Sequence, residues 1–286
     1  MKKNLTIGLL IASFFCYSQT IDHALLEVMY HYEFVVNRLE PQNRSTDEVI
    51  LLIGSIYTGY FSFRNHIADS LVRTGGAEYR PRIMGSDGRP LDIRAGETFE
   101  DAARRAGISG TPNVIMPRTM PARSPFNRAR YFINRESARA TCMALVTDMR
   151  NPSNVHGHRI SYAEILQSPV WRISTETQTI IGYRSQKATT RFGGRDWTVW
   201  FTPDIPISEG PWKLRGLPGL ILKAYTADGE FSLMATSVSR GTNRPIVMDE
   251  NNVYIDMPKR DFFRLKTEGM RNHVRPFEFN HIEILE

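Results

Sequence analysis

Period-two alternation of apolar residues restricts this fold more than any other feature. From Leu25 to Val36, the residues Val28, Tyr30, Tyr32, Phe34 and Val36 share one face of an extended chain, and Glu27, His31 and Glu33 share the other. A strand patterned this way must pair its backbone and bury one face, so it seeds a sheet. Val49 to Phe63, aromatic at Tyr57, Phe61 and Phe63 and broken at Gly54 and Gly59, predicts a second strand or a bent pair. Alternation predicts further strands over 129–134, 138–147, 170–174, 179–192 and 195–202. A hairpin is predicted about Ala227-Asp228-Gly229, with a weak edge strand at 281–285. Helical signals are few: a turn near 67–72, a segment over 98–106 capped by Thr98, and Lys259 to Met270 with Asp256 and Pro258 at its start. The fold class is mainly β, a β-rich α+β chain with one curved antiparallel sheet or open half-barrel and a few short helices. Residues 75–127, rich in Arg, Pro and Gly, lack the apolar residues for a core of their own and read as an irregular excursion from the sheet.

The amino terminus reads as an address. Met1-Lys2-Lys3 precedes a mostly apolar run from Leu5 to Tyr17, the layout of a signal peptide over residues 1–18 with cleavage between Ser18 and Gln19. Residues 19–286 then form a single β domain, and the chain is expected to be exported, to the periplasm or the cell surface. No later stretch is apolar long enough to span a bilayer. Loss of the leader removes Cys16 and leaves Cys142 alone, which excludes an internal disulfide. Its setting in Ala140 to Val146 predicts a small buried core residue. With 41% hydrophobic and 23% charged residues, the chain is neither disordered nor a coiled coil. Its net charge of +6 is carried mostly by arginine, and the Arg-rich stretch from Arg80 to Arg130 reads as a solvated loop or, since arginine forks onto carboxylates and phosphates, as a site for an acidic ligand or lipid headgroup. An exported chain without a nucleic-acid motif is not expected to bind nucleic acid.

Chemical motifs are sparse. His156-Gly-His158 would place two imidazoles on one strand face, but Asn151-Pro-Ser-Asn154 marks a loop and spacing places no third ligand. His23 and His31, eight residues apart on the predicted first strand, also share a face. There is no Gly-x-Ser-x-Gly elbow, phosphate loop, dinucleotide fingerprint or His-Glu-x-x-His helix, so no catalytic residue, metal or cofactor is assigned.

The densest signal runs from Trp171 to Ile221. It includes Gly182, then Gly194, Arg195, Trp197 and Trp200, then Gly210, Pro211 and Trp212, and closes on Gly216, Leu217, Pro218, Gly219, Leu220 and Ile221. Trp197 and Trp200 point to opposite faces of one strand, so both faces are expected to meet other matter. Pro203, Pro206 and Pro211 withhold backbone donors, so 203–214 is not a central strand. Leu217-Pro218-Gly219 suits a type II turn with Gly219 at positive φ, a rigid corner leading into Leu220-Ile221-Leu222. Charged Arg195, Glu209 and Arg215 beside it are where binding would show. This run closely resembles the GLPGLI family, exported proteins of Gram-negative bacteria without an established biochemical activity. The resemblance implies a signal peptide and a β-rich fold but no mechanism. Ser185 and Thr190 stand where many relatives have cysteines.

The resulting expectation is a non-enzymatic cell-envelope protein that binds or carries an apolar or acidic ligand, or a membrane-protein partner. The alternatives are a hydrolase with unidentified catalytic residues and a metal-handling protein using His156 and His158.

Overall fold

A computed structural model describes residues 19–74, 82–84, 104–105, 107, 113–115, 129–146, 158–248, 254–270 and 280–284. The leader, most of the 75–127 excursion, all of the predicted 98–106 helix except 104–105, and His156 lie outside the described residues.

The chain is mainly β. Twelve strands form one sheet in the order β10 (Arg172–Ile180), β11 (Tyr183–Phe192), β12 (Arg195–Thr202), β13 (Leu220–Thr226), β14 (Phe231–Arg240), β2 (Leu26–Val35), β3 (Arg44–Ile53), β4 (Tyr57–Ser62), β7 (Ala129–Asn134), β8 (Arg139–Val146), β9 (His158–Ile165) and β16 (Ile255–Asp256). Neighbours are antiparallel except β9 and β16. The sheet does not close, so its edges are β10 and β16. Two small pairs stand apart: β1 (Gln19–His23) with β15 (Pro245–Met248), and β5 (Arg82–Met84) with β6 (Asn113–Ile115). Two helices occur among the described residues, α1 (Phe63–Thr74) and α2 (Lys259–Met270).

Alternation decides which face each strand buries. Val28, Tyr30, Tyr32 and Phe34 of β2 share one continuous core with Val49 and Leu51 of β3, Tyr131 of β7, Tyr162 of β9, Trp197 of β12 and Leu233 of β14. Strands far apart in sheet order meet in this core because the sheet curls around it. Within it, Tyr30 of β2 donates its hydroxyl to the Ile221 carbonyl of β13 at 2.7 Å. On the opposite face, Ile50, Leu52, Phe61, Phe132 and Met143 pack under Ile246 of β15 and Ala24.

Four local expectations change. The span 179–192 is a hairpin, not one strand. Ile180 pairs with Tyr183, and Ile181 and Gly182 take φ of 43° and 85°, the mirror-image turn that suits strand twist. β9 is a full strand where the sequence suggested only loop punctuation. Residues 281–284 form no strand but a strap, tied by the Ile284 amide to the Gly193 carbonyl at 2.9 Å. His23 and His31 lie on separate strands, β1 and β2, and the His31 Nδ1 sits 2.9 Å from Glu48 Oε1.

Candidate functional site

The inner face of the curled sheet is filled. The segment between β12 and β13 crosses it and inserts Ile205, Trp212, Leu214 and Leu217, all buried, while α2 adds Phe262 and Phe263. Trp212 is held at φ 58°, a conformation rare for a bulky residue. Its ring leans on Trp197 and meets the Phe192 ring edge-on, with centroids 5.8 and 5.6 Å away. A Cβ on Gly193 would sit 2.8 Å from that indole, so glycine is what admits it. What remains is a cavity of about 40 Å³ lined by Tyr32, Tyr60, Tyr131, Trp212 and Phe231 among others. That is room for water but not for an apolar cargo. The carrier expectation fails here because the chain's own loop and helix occupy the space a cargo would need.

A buried ionic cluster lies beside this cavity. The Lys213 ammonium donates to Glu283 Oε2 at 2.5 Å, Glu164 Oε1 at 2.6 Å and the Tyr162 hydroxyl at 3.1 Å. Lys259 of α2 donates to the other oxygens of both carboxylates. Burial alone would raise the Glu164 pKa, but Lys213 and then Lys259 outweigh it and hold the group below the usual carboxylate value. The cluster clamps β9, the 205–219 segment, α2 and the strap together. The three chain positions nearest Lys213 lie 49 to 70 residues from it in sequence, so no local pattern announces the cluster.

Arg195 forms a second node. Its guanidinium donates to Asp228 at 2.8 Å and to Glu230, Asn280 Oδ1 and the His281 carbonyl, each at 2.7 Å, and stacks 4.5 Å over the Phe231 ring. It joins β12 to the β13–β14 turn and to the strap. Glu209 is the third node, buried between Arg135 at 3.3 Å and Arg215 at 3.2 Å. Its pKa is raised because burial outweighs both arginines. The charged residues flanking the corner are thus committed to structural partners.

The remaining singled-out residues have architectural positions. Trp171 donates its indole N–H to the Arg215 carbonyl at 2.9 Å. Trp200 is buried and belongs to the same core as Trp197. Gly210 has no room for a Cβ, which would come 2.8 Å from both Ile221 Cβ and the Leu214 carbonyl. Pro211 accepts the Leu214 amide, and the Ile221 amide reaches Glu209. At the corner the positive φ belongs to Gly216, at 95°, and not to Gly219. Gly219 is required for another reason: a Cβ there would lie 2.1 Å from the Thr202 carbonyl oxygen. Pro218 and Leu217 therefore lead into β13 past the end of β12 without the expected type II geometry, and Leu220 bonds the Ile205 carbonyl. Ser185 and Thr190 sit five residues apart on β11, about 16 Å along the strand and on opposite faces, so cysteines there could not bridge each other. Cys142 is buried, and burial pushes its thiol up to about 11. Among the described residues, no cluster of three His, Cys, Asp or Glu side chains is placed to hold a metal. No helix among them is long and apolar enough to cross a membrane.

A cleft of about 300 Å³ opens between α2, the strap and the β2–β3 turn. Arg38, Arg195, Arg260 and Arg264 line it, with Thr267, Asn280, His281 and Glu283. Burial, then the charges of Lys266 and Arg195, push the His281 imidazole down to about 3, so it stands neutral in this wall.

Comparison with known proteins replaces the GLPGLI resemblance. The family model that matches the chain is described as N-glycanase peptide, N-terminal domain, and covers residues 115–258, half of the sequence. The corner at 216–221 misled because glycine, proline and aliphatic residues encode a backbone path that unrelated sheets can share. Two solved structures of PNGF-II, in C2 and P21 crystals, align over 85% of this chain and 33% of theirs, each with a TM-score of 0.47, at 15% and 17% identity. The chain thus spans about a third of the length of those proteins. No curated protein matches the sequence.

Proposed function

On the premise that this chain belongs to the family described as N-glycanase peptide, N-terminal domain, we propose that it functions in the enzymatic hydrolysis of N-linked glycans. The family match over 115–258 carries this reading and displaces the non-enzymatic carrier, which the filled inner face also opposes. Two features of the geometry fit a glycan. The 300 Å³ cleft lies at the lower end of small-ligand pockets, and its lining mixes hydrogen-bond donors with the apolar Phe263 and Ile284. Glu164 and Glu283 are each bound to two lysines, so neither stands ready as a proton donor, and no carboxylate is assigned to the cleavage step.

The test is glycan release from an N-glycosylated protein, followed by electrophoretic mobility and by mass spectrometry of the freed sugar. One arm uses the full chain alone, and the other adds it to a separate N-glycanase catalytic domain. Release in the first arm, or a raised rate in the second, supports the proposal. Intact glycans in the first and an unchanged rate in the second refute it. We also propose export through the leader at 1–18, supported by Lys2-Lys3 and the apolar run that follows. Mass spectrometry of the secreted protein should find Gln19 as its first residue, and retention of Met1 would refute this.

A further inference from the structure

We infer that the cleft between α2 and the strap is a binding site for an anionic sugar, one bearing a carboxylate or sulfate. Among the described residues its lining carries Arg38, Arg195, Arg260 and Arg264 against one carboxylate, Glu283. These charges are not equally available. Arg195 is committed to Asp228 and Glu230, Arg38 lies 3.6 Å from Glu230, Arg264 pairs with Asp261 at 3.0 Å, and Glu283 is held by Lys213 and Lys259. Arg260, by contrast, makes no hydrogen bond or ion pair among the described residues. It stands one helical turn before Arg264 on α2, so the two guanidiniums border the same cleft, the spacing that grips an oxyanion from two sides.

The wall behind them has the same bias. Asn280 must present its oxygen to Arg195, which fixes the amide orientation and leaves Nδ2 without an acceptor; the Arg195 Nε is likewise unmatched among the described residues. A cleft whose wall holds more donors than acceptors favours a ligand rich in oxygen acceptors. Phe263 and Ile284 supply apolar area for the face of a sugar ring. The anion part of this assignment rests on the cleft alone, and the sugar part rests on the N-glycan reading.

The experiment is calorimetric titration of the full chain at low ionic strength with glucuronate, glucose and inorganic sulfate. Wild type is compared with an Arg260→Ala/Arg264→Ala double variant and with Arg191→Ala, a surface arginine on β11 that does not line the cleft. Arg260 and Arg264 are exposed, and an unchanged thermal melt will show that the double variant folds. Glucuronate should bind saturably and more tightly than sulfate, glucose should not bind, and salt should weaken the interaction. The double variant should lose about tenfold or more in affinity, and Arg191→Ala should lose nothing. Absence of glucuronate binding, or equal binding by the double variant, overturns the site. Glucose binding as tightly as glucuronate overturns the anion. Sulfate binding as tightly as glucuronate overturns the sugar. None of these readouts depends on glycan release, so failure here is separable from failure of the hydrolytic proposal.

Discussion

Replacing Lys213 with methionine tests whether the buried ionic cluster holds the fold's inner layer together. Methionine keeps most of the stem that runs among Trp212, Tyr131 and Tyr162, and removes only the charge and its three hydrogen bonds. The Lys213 side chain is 1% exposed, Glu283 9% and Glu164 21%. Removing one partner of a buried pair costs about 3–5 kcal/mol. Here Lys259 stays bonded to both carboxylates and Glu164 retains some water, which lowers the expected loss to about 2–3 kcal/mol. At roughly 2–4 °C per kcal/mol for a chain of comparable size, the melting temperature should fall by about 4–12 °C. Adding Glu283→Gln, at the more buried carboxylate, to Lys213→Met leaves Lys259 paired with Glu164, removes the uncompensated charge and should recover at least half of the loss. The acid limb gives an independent readout. Glu164 has a folded pKa below its unfolded value of 4.5, so its contribution is complete above that value and is lost as pH falls through the folded one. Lys213→Met should therefore show a shallower loss of stability below about pH 4.5 than wild type. An unchanged melting temperature for Lys213→Met, or a double variant Lys213→Met/Glu283→Gln that melts below the single one, would refute the reasoning.

Gly219→Ala should be more damaging than its chemistry suggests. The new Cβ meets the Thr202 backbone at 2.1 Å, and forcing β12 and β13 apart should cost about 3 kcal/mol or more by chemical denaturation; a loss under about 1 kcal/mol would mean that the strand ends move freely. Cys142, buried and with its thiol raised to about 11, should react with a thiol reagent only after unfolding, so rapid labelling of the native protein would contradict its placement. Asp22→Ala should cost about 1–2 kcal/mol at pH 7, because the carboxylate accepts the Ile56 and Tyr57 amides at 2.6 and 2.9 Å in the β3–β4 turn. Burial raises the Asp22 pKa, but those amides and that of His23 outweigh it and lower it, so the gap between wild type and variant should close as pH falls through the folded value. A gap that persists under acid would assign the effect to packing.

Much of the sheet is legible in the sequence where one face is buried and punctuation is plain. β12 spans the predicted 195–202, the β13–β14 hairpin turns at Ala227-Asp228-Gly229, and α2 follows its Asp256 and Pro258 signals. The hairpin at Ile181-Gly182 was not legible, since β-branched residues run on through the turn and isoleucine is an unusual occupant of positive φ. β9 was hidden because only Ile160 and Tyr162 carry the apolar alternation, and the next position on that face is Glu164, whose partner Lys213 is far away in sequence. The filling of the inner face was hidden for a different reason. A proline-rich segment that cannot join a sheet reads as a surface loop, but here that inability to pair sends it inward, where Trp212 and Leu214 replace a ligand.

The residues that stood out from Trp171 to Ile221 have a common physical role that no single motif conveys: several of them receive the strap. Gly194, at φ 71°, leaves no space for a Cβ, which would meet Ile284 Cβ at 2.7 Å. Gly193 gives its carbonyl to the Ile284 amide, and Arg195 binds Asn280 and the His281 carbonyl. Lys213, next to Trp212, binds Glu283. The Asn280 amide reaches across to the Val36 carbonyl at the end of β2. Five residues of strap thus join the β11–β12 turn, the 205–219 segment, α2 and the end of β2, and their partners lie 70 residues or more away in sequence except on α2. Sequence reading registers such partners only as an unexplained density of glycine, arginine and tryptophan, because the element they serve supplies no pattern of its own. The same strap forms one wall of the arginine-lined cleft, so the residues that fasten the fold also shape that opening.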